Sequence, residues 1–169
     1  MPNKAVLFDR DGTLNVDVNY LYKRDDFCWL PEVPEALVWL QQQGYDIYVI
    51  TNQSGIARGY FQLQDMLDLH QYMNEELQKF GVHIKKFYYC PHLPDGKVKE
   101  YAVDCECRKP KPGLVLKCLQ ENNLRAENCI MIGDKPRDVE CGEAAGVRGY
   151  LYSGGSMLDF VRKILAVRG

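Results

Sequence analysis

At 169 residues the chain has the length of one compact domain that buries a core without cross-links, and its balance of 46% hydrophobic and 26% charged residues is ordinary for a globular protein. A net charge of -2 weighs against a surface built to grip nucleic acid by its phosphates. No run reaches the ~20 apolar residues of a membrane span, no secretory segment precedes the first apolar run, and seven cysteines cannot all pair with one another, so the chain is expected in a reducing cytoplasm with its cysteines as thiols or metal ligands.

In chain order, the short apolar run "AVLF" at 5–8 predicts a strand, 33–43 a helix that Gly44 stops, and "IYVI" at 47–50 a second strand. Leu63, Met66, Leu67, His70, Met73, Leu77 and Phe80 recur at helical spacing. "FYYC" at 87–90 predicts a strand, 112–122 a helix, "CIMI" at 129–132 and "GYLY" at 149–152 two more strands, and "SMLDFVRKILAV" a last helix capped by Ser156. This alternation implies crossover units: an α/β fold with a doubly wound, Rossmann-like parallel sheet and helices on both faces, with residues 1–169 as a single domain. Ligands of such sheets bind beyond the carboxyl ends of the strands.

Four polar segments follow the predicted strands or open the predicted helices. They are Asp9-Arg10-Asp11-Gly12-Thr13, Thr51-Asn52-Gln53-Ser54-Gly55, Arg108-Lys109-Pro110-Lys111-Pro112 and Gly133-Asp134-Lys135-Pro136-Arg137-Asp138. Taken singly, the first reads as an Asp/Gly turn, Thr51 as a strand cap, Lys109 as a solvated cation, and Asp134 and Asp138 as carboxylates favoured near a helix start. Together and in this order they resemble the motifs of the haloacid dehalogenase superfamily of phosphatases, along nearly the whole chain. The resemblance implies Asp9 as nucleophile and Asp11 as general acid/base. Thr51 and Lys109 would hold phosphoryl oxygens, Asp9, Asp11 and Asp134 would hold magnesium, and Asp138 would support the site. The residue types suit the chemistry. Hydrolysis of a phosphate monoester is among the slowest uncatalysed reactions, and a carboxylate nucleophile divides it into two displacements through an aspartyl-phosphate. The anionic nucleophile needs cations to approach an anionic ester, and magnesium prefers oxygen ligands.

Between these motifs lies Cys90-x-His92, then twelve residues, then Cys105-x-Cys107. Three sulfurs and an imidazole in two close pairs fit a structural zinc site of Cys3His type better than a disulfide, which a Cys-x-Cys spacing would strain; two unrelated cysteine pairs are the alternative. The zinc loop, 90–108, ends at Arg108 and Lys109 and would brace that basic end over the active site, beneath a minimal cap. "CPH" followed by "CxCRKP" resembles the zinc-bearing group that contains the D-glycero-D-manno-heptose 1,7-bisphosphate 7-phosphatases and the histidinol-phosphate phosphatases. "NVDVNYLYKRDDF", "TNQSGIARGYF" and "YYCPHLPDG" are similar to the heptose enzymes, with Asn19 standing where those usually carry Gly. This resemblance implies a sugar bisphosphate as substrate, a step of nucleotide-heptose and lipopolysaccharide core biosynthesis, and contacts from Asp17, Asn19, Tyr20, Thr51, Asn52, Gln53, Ser54, Arg108, Lys109 and Lys135. Histidinol phosphate is the alternative substrate, and a zinc-stabilised binding module without catalysis is the alternative class. That module leaves Asp9, Asp11, Thr51 and Asp134 without a purpose. A monomer with no nucleic-acid or membrane partner is expected. Arg58 is an open candidate for substrate contact. His70 reads as a packed histidine, His83 as surface, Trp29 and Trp39 as packing, and Cys28, Cys118, Cys129 and Cys141 lack metal-type spacing.

Overall fold

The computed structural model describes residues 3–168. Its five strands are β1 (Lys4–Phe8), β2 (Tyr45–Asn52), β3 (Lys86–Cys90), β4 (Cys129–Gly133) and β5 (Arg148–Leu151). They form one sheet in the order β3-β2-β1-β4-β5, every pairing parallel. The helices are α1 (Val33–Gln42), α2 (Leu63–Gln78), α3 (Gly113–Glu121), α4 (Pro136–Ala144) and α5 (Met157–Arg168). Strand period explains the two cores. Val6 and Phe8 of β1 join a cluster with residues of α1, α2 and α5, whereas Ala5 and Leu7 join the opposite cluster with residues of α3 and α4. The sheet is therefore covered on both faces, as the alternation of elements predicts. Among the described residues no helix is long and apolar enough to cross a membrane.

Most predicted elements stand within a few residues of their expected bounds, and the differences carry meaning. β2 runs on to Asn52, so Thr51 and Asn52 are paired with Tyr89 and Cys90 inside the sheet and not in the loop beyond it. β5 stops at Leu151, one residue short of Tyr152. On α2 the buried row is Met66, Leu69, His70, Met73 and Leu77, while Leu67 is 39% exposed and Phe80 lies past the helix end at 48%. Ser156 accepts the Asp159 N–H at 3.1 Å as the cap of α5, and Asp138 accepts the Lys135 N–H at 3.1 Å at the start of α4. Trp29 and Trp39 pack on the first core, Cys118, Cys129 and Cys141 are buried, and Cys28 and His83 are exposed.

His70 is the one imidazole in the buried row of α2. Its ring stacks on Phe87 of β3 at a centroid distance of 4.0 Å and an angle of 9°, and it shares a 3.1 Å hydrogen bond with Nη1 of Arg10. A guanidinium only donates, so His70 Nε2 accepts and the ring is neutral. Burial first, and the Arg10 charge second, push its pKa well below the ordinary 6.5. The unfolded chain therefore binds a proton there that the folded chain refuses. This contribution to stability is present above about pH 6.5 and is lost at up to about 1.4 kcal/mol per pH unit as the pH falls below it. His70→Gln keeps an acceptor for Arg10 and removes the titration. Urea unfolding at about pH 7.5 and about pH 5 is expected to show a smaller acid-side loss in the variant than in the wild type.

Candidate active site and metal centre

Lys109 sits at the centre of the carboxyl edge. Its Nζ donates to Asp9 Oδ1 at 2.7 Å and to the Ile50 carbonyl at 2.8 Å, and pairs with Asp138 Oδ1 at 2.7 Å. Each comes from a different element: Asp9 directly after β1, Ile50 on β2 and Asp138 on α4. The Lys109 backbone is fixed as well, because the Asn52 side-chain amide accepts its N–H at 3.0 Å and donates to its carbonyl at 3.3 Å. A single β2 side chain thus pairs with the end of the 90–108 loop as a neighbouring strand would. Burial alone would lower the Lys109 ammonium, but Asp9 and Asp138 outweigh it and hold its pKa up, so it stays charged.

The carboxylate oxygens of Asp9, Asp134 and Asp138 all lie within 4.8 Å of one another. Thr13 Oγ1 donates to Asp134 at 3.2 Å. Gly12, at φ +86°, lets the turn after β1 pass against Asp134: a Cβ there would meet its Oδ2 at 2.3 Å. Lys109 pairs with Asp9 and Asp138, and the half-exposed Lys135 ammonium stands 3.8 Å from Asp134 Oδ2, so the three carboxylates keep a net negative charge. Burial first, with Asp138 adding to it against the pull of Lys109, pushes Asp9 up to about 8. An all-oxygen set of net negative charge fits a hard cation, whose charge would oppose that shift.

Asp11 is placed differently from the expectation that groups it with these metal-site carboxylates. Its Oδ1 accepts from Arg10 Nε at 3.1 Å and Asn15 Nδ2 at 3.0 Å, and its Oδ2 from Arg10 Nη2 at 3.0 Å and Gln53 Nε2 at 3.1 Å. These four donors hold the Asp11 carboxylate, which is not one of the three acids grouped within 4.8 Å. Gln53 Nε2 also donates to Thr51 Oγ1 at 2.8 Å, which joins the second motif to the first.

Above this floor opens a polar cavity of about 260 Å³. Asp9, Asp11, Asp17, Asn19, Tyr20, Asn52, Gln53, Ser54, Arg108 and Lys135 line it, so the structure brings together most of the residues picked out in the sequence. Thr51 and Lys109 are only 1% and 3% exposed and lie beneath the lining. Asn19 and Tyr20 take φ of +57° and +59°. The left-handed region is free to Gly and best tolerated by Asn among other residues, which explains an Asn where Gly is the more usual choice. Arg58 and Arg137 also line the cavity. Arg58 lies over the Tyr20 ring at 5.7 Å with its Nε 3.4 Å from Ser54 Oγ, and Tyr60 meets Tyr20 edge-on at 4.7 Å. Arg137 and the buried Arg10 had no signal beyond their place inside recognised motifs.

The ligand atoms of Cys90, His92, Cys105 and Cys107 lie within 4.8 Å of one another. Sulfurs bound tetrahedrally at ~2.3 Å from zinc stand about 3.8 Å apart. Here Cys105 Sγ is 3.4 Å from both Cys90 and Cys107, Cys90 and Cys107 are 2.9 Å apart, and His92 Nδ1 is 3.4 Å from Cys107 and 3.7 Å from Cys90. The set is closed, with no fifth protein donor among the described residues, and its soft ligands suit zinc. It also touches the cavity, since Arg108 Nη1 donates to the His92 carbonyl at 3.2 Å.

A family model for HAD-hydrolase-like proteins matches residues 106–159. The D-glycero-beta-D-manno-heptose-1,7-bisphosphate 7-phosphatase of Pasteurella multocida (strain Pm70) is 44% identical over 145 residues, 86% of this chain and 78% of the relative. A D-glycero-alpha-D-manno-heptose-1,7-bisphosphate 7-phosphatase of Photorhabdus laumondii subsp. laumondii is 40% identical over 144 residues, 85% of this chain and 79% of the relative. The crystal structure of D,D-heptose 1.7-bisphosphate phosphatase from B. bronchiseptica, complexed with magnesium and phosphate, aligns with a TM-score of 0.79 at 31% identity, over 98% of this chain and 87% of that one. The chain belongs to the haloacid dehalogenase superfamily and is a phosphatase. Within that superfamily its group is the one whose named members are heptose-bisphosphate 7-phosphatases.

Cys107→Ser is expected to lower zinc content, measured by metal analysis, and to lower the melting temperature. A variant with wild-type zinc content and wild-type melting would overturn the metal reading of the four-residue cluster. A drop in melting without loss of zinc would do the same.

Proposed function

We propose that the chain is a magnesium-dependent phosphomonoester hydrolase that acts through an aspartyl-phosphate on Asp9 and removes the C7 phosphate of D-glycero-D-manno-heptose 1,7-bisphosphate, a step towards nucleotide-activated heptose and the lipopolysaccharide core. The observation that carries the reading is the cluster of three carboxylates, Asp9, Asp134 and Asp138, beside the buried Lys109 at the floor of a cavity rimmed by guanidinium groups. Asp9 and Asp134 would hold magnesium, which when bound shields the nucleophile from the charge of the phosphoryl group. Asp138 holds Lys109. Asp11, held by four side-chain donors, takes the acid/base role.

In the first displacement Asp9 attacks phosphorus, the ester P–O bond breaks and Asp11 protonates the departing alkoxide. In the second, water attacks phosphorus, gives its proton to Asp11 and releases phosphate from Asp9. Lys109 and the Thr51 hydroxyl stabilise the nonbridging oxygens. Zinc at Cys90, His92, Cys105 and Cys107 would fix loop 90–108, whose end carries Arg108 and Lys109. Residues 1–169 act as one domain, and the cavity is lined by a single chain, so the reading requires no second subunit. A site holding three reduced thiols belongs in the cytoplasm.

Arg58 and Arg108 suit the second phosphate of the bisphosphate, whereas the ammonium of histidinol phosphate would depend on Asp17 of the same lining against those two guanidinium groups. Relatives named for both anomers support heptose bisphosphate as the class without choosing the anomer.

Phosphate release from the heptose bisphosphate and from histidinol phosphate, with and without magnesium, tests the reading. Activity confined to histidinol phosphate would reject the substrate, and activity indifferent to magnesium would reject the cofactor. Asp9→Asn is expected to leave under about a hundredth of wild-type turnover with zinc content unchanged. Arg108→Ala is expected to raise KM for the bisphosphate about tenfold, ~1.4 kcal/mol, and to cost much less with a monophosphate. Equal losses on the two substrates would assign Arg108 to the reacting phosphate.

A further inference from the structure

We infer that Arg10 and His70 are positioning residues for Asp11: a buried guanidinium braces the carboxylate from behind, and a neutral imidazole braces the guanidinium. The inference rests on the reading of Asp11 as the acid/base.

Arg10 lies between the two motif aspartates with 0% exposure. Its Nε and Nη2 fork onto the two Asp11 oxygens, Nη2 also donates to the Leu21 carbonyl at 3.0 Å, and Nη1 donates to His70. Four of its five N–H groups are thereby directed. The Asp11 side chain keeps 22% exposure and lines the cavity; the charged fork holds it from one side, and the neutral amides of Asn15 and Gln53 complete the grip.

Packing does not require this arrangement. Phe8, two residues earlier, is apolar and fully buried, and replacing a buried ion pair with well-packed apolar residues is often neutral or stabilising. What a forked guanidinium supplies and an apolar residue cannot is direction, because two parallel hydrogen bonds fix both the place and the plane of the carboxylate. His70 extends the same logic by one layer. It interrupts a row of Met66, Leu69, Met73 and Leu77 with a group that accepts, and Phe87 stacked on its face sets the ring plane. Leu21 ties the brace to the 15–28 loop that carries Asn19 and Tyr20 over the cavity.

A brace on the acid/base has a kinetic signature that a brace on the fold lacks. When the alkoxide of a sugar phosphate leaves, Asp11 must deliver a proton as the P–O bond breaks. The phenolate of p-nitrophenyl phosphate leaves without one. Misplacing Asp11 therefore penalises the first displacement, which kcat/KM reports, for the alkyl ester only.

The test compares kcat/KM of the full-length magnesium enzyme on the heptose bisphosphate and on p-nitrophenyl phosphate. The variants are His70→Leu, His70→Gln and Arg10→Lys, with Asp11→Asn as the benchmark. His70→Leu and Arg10→Lys are expected to lose about tenfold or more on the bisphosphate and under about threefold on the aryl ester, with His70→Gln recovering most of the loss. Equal losses on both esters in His70→Leu, or full activity on both, would overturn the inference while leaving Asp11 in its role. An Asp11→Asn enzyme with no preference for the aryl ester would instead overturn the acid/base reading, and the inference with it. Should Arg10→Lys fail to fold, the His70 pair decides the matter alone.

Discussion

A lysine ammonium with almost no contact with water, held between two carboxylates, is expensive to build unless every partner is fixed in advance. Lys109 meets that condition through its surroundings. Its head is gripped by Asp9, Asp138 and the Ile50 carbonyl, and its backbone is gripped by the Asn52 amide. Because those partners come from the end of β1, from β2 and from α4, the ammonium fastens the end of the 90–108 loop to the carboxyl edge of the sheet. Removing any partner leaves a buried charge short of compensation, the circumstance in which breaking an ion pair costs most. The strand order serves this arrangement. β1 lies in the middle of the sheet between β2 and β4, so Asp9 is flanked by Thr51 and Asn52 on one side and by Asp134 on the other.

The same cluster shows what the buried lysine leaves undone. Lys109 pairs with Asp9 and Asp138 but not with Asp134, and burial together with Asp138 pushes the Asp9 carboxyl up to about 8. A further cation beside these oxygens would favour the ionised carboxylate. Asp11 has a counter-charge of its own in Arg10, so two aspartates two residues apart face different cations.

Much of this was legible in the sequence because it rests on local rules. Short β-rich runs bounded by Gly, Pro and Asp mark the strands, and ligands collect where such strands end, so Asp9, Thr51 and Asp134 were found by position. The paired Cys and His residues announce themselves by spacing. What stayed hidden depends on contacts across the sheet. Nothing in "TNQS" says that Asn52 clamps a backbone 57 residues away, and nothing in the α2 pattern separates His70 from a filler histidine, since both give the same periodicity. Leu67 and Leu69 show the same limit. Both are leucines near one stripe, yet only Leu69 is buried, because a helix turned slightly against the sheet selects one of them. Nothing in "DRDG" says that the Arg10 guanidinium forks onto Asp11, because sequence gives proximity along the chain and not the rotamer.

The two metal-type clusters are close in the fold and do not compete, because their ligand chemistries differ. Thiolates and an imidazole select a soft, tetrahedral ion, and a carboxylate set selects a hard one that keeps water in its shell. Arg108 and Lys109 are the covalent link between them: the residue next to Cys107 hydrogen-bonds back to the zinc-type turn, and its neighbour enters the carboxylate cluster. Arg108 is therefore carried on a segment held at both ends, by the Cys/His cluster on one side and by the Asn52 clamp on Lys109 on the other. Two short local rules, one of sulfur and imidazole and one of amide and backbone, fix a guanidinium at the wall of a polar cavity whose opposite side carries the left-handed Asn19 and Tyr20 of the 15–28 loop.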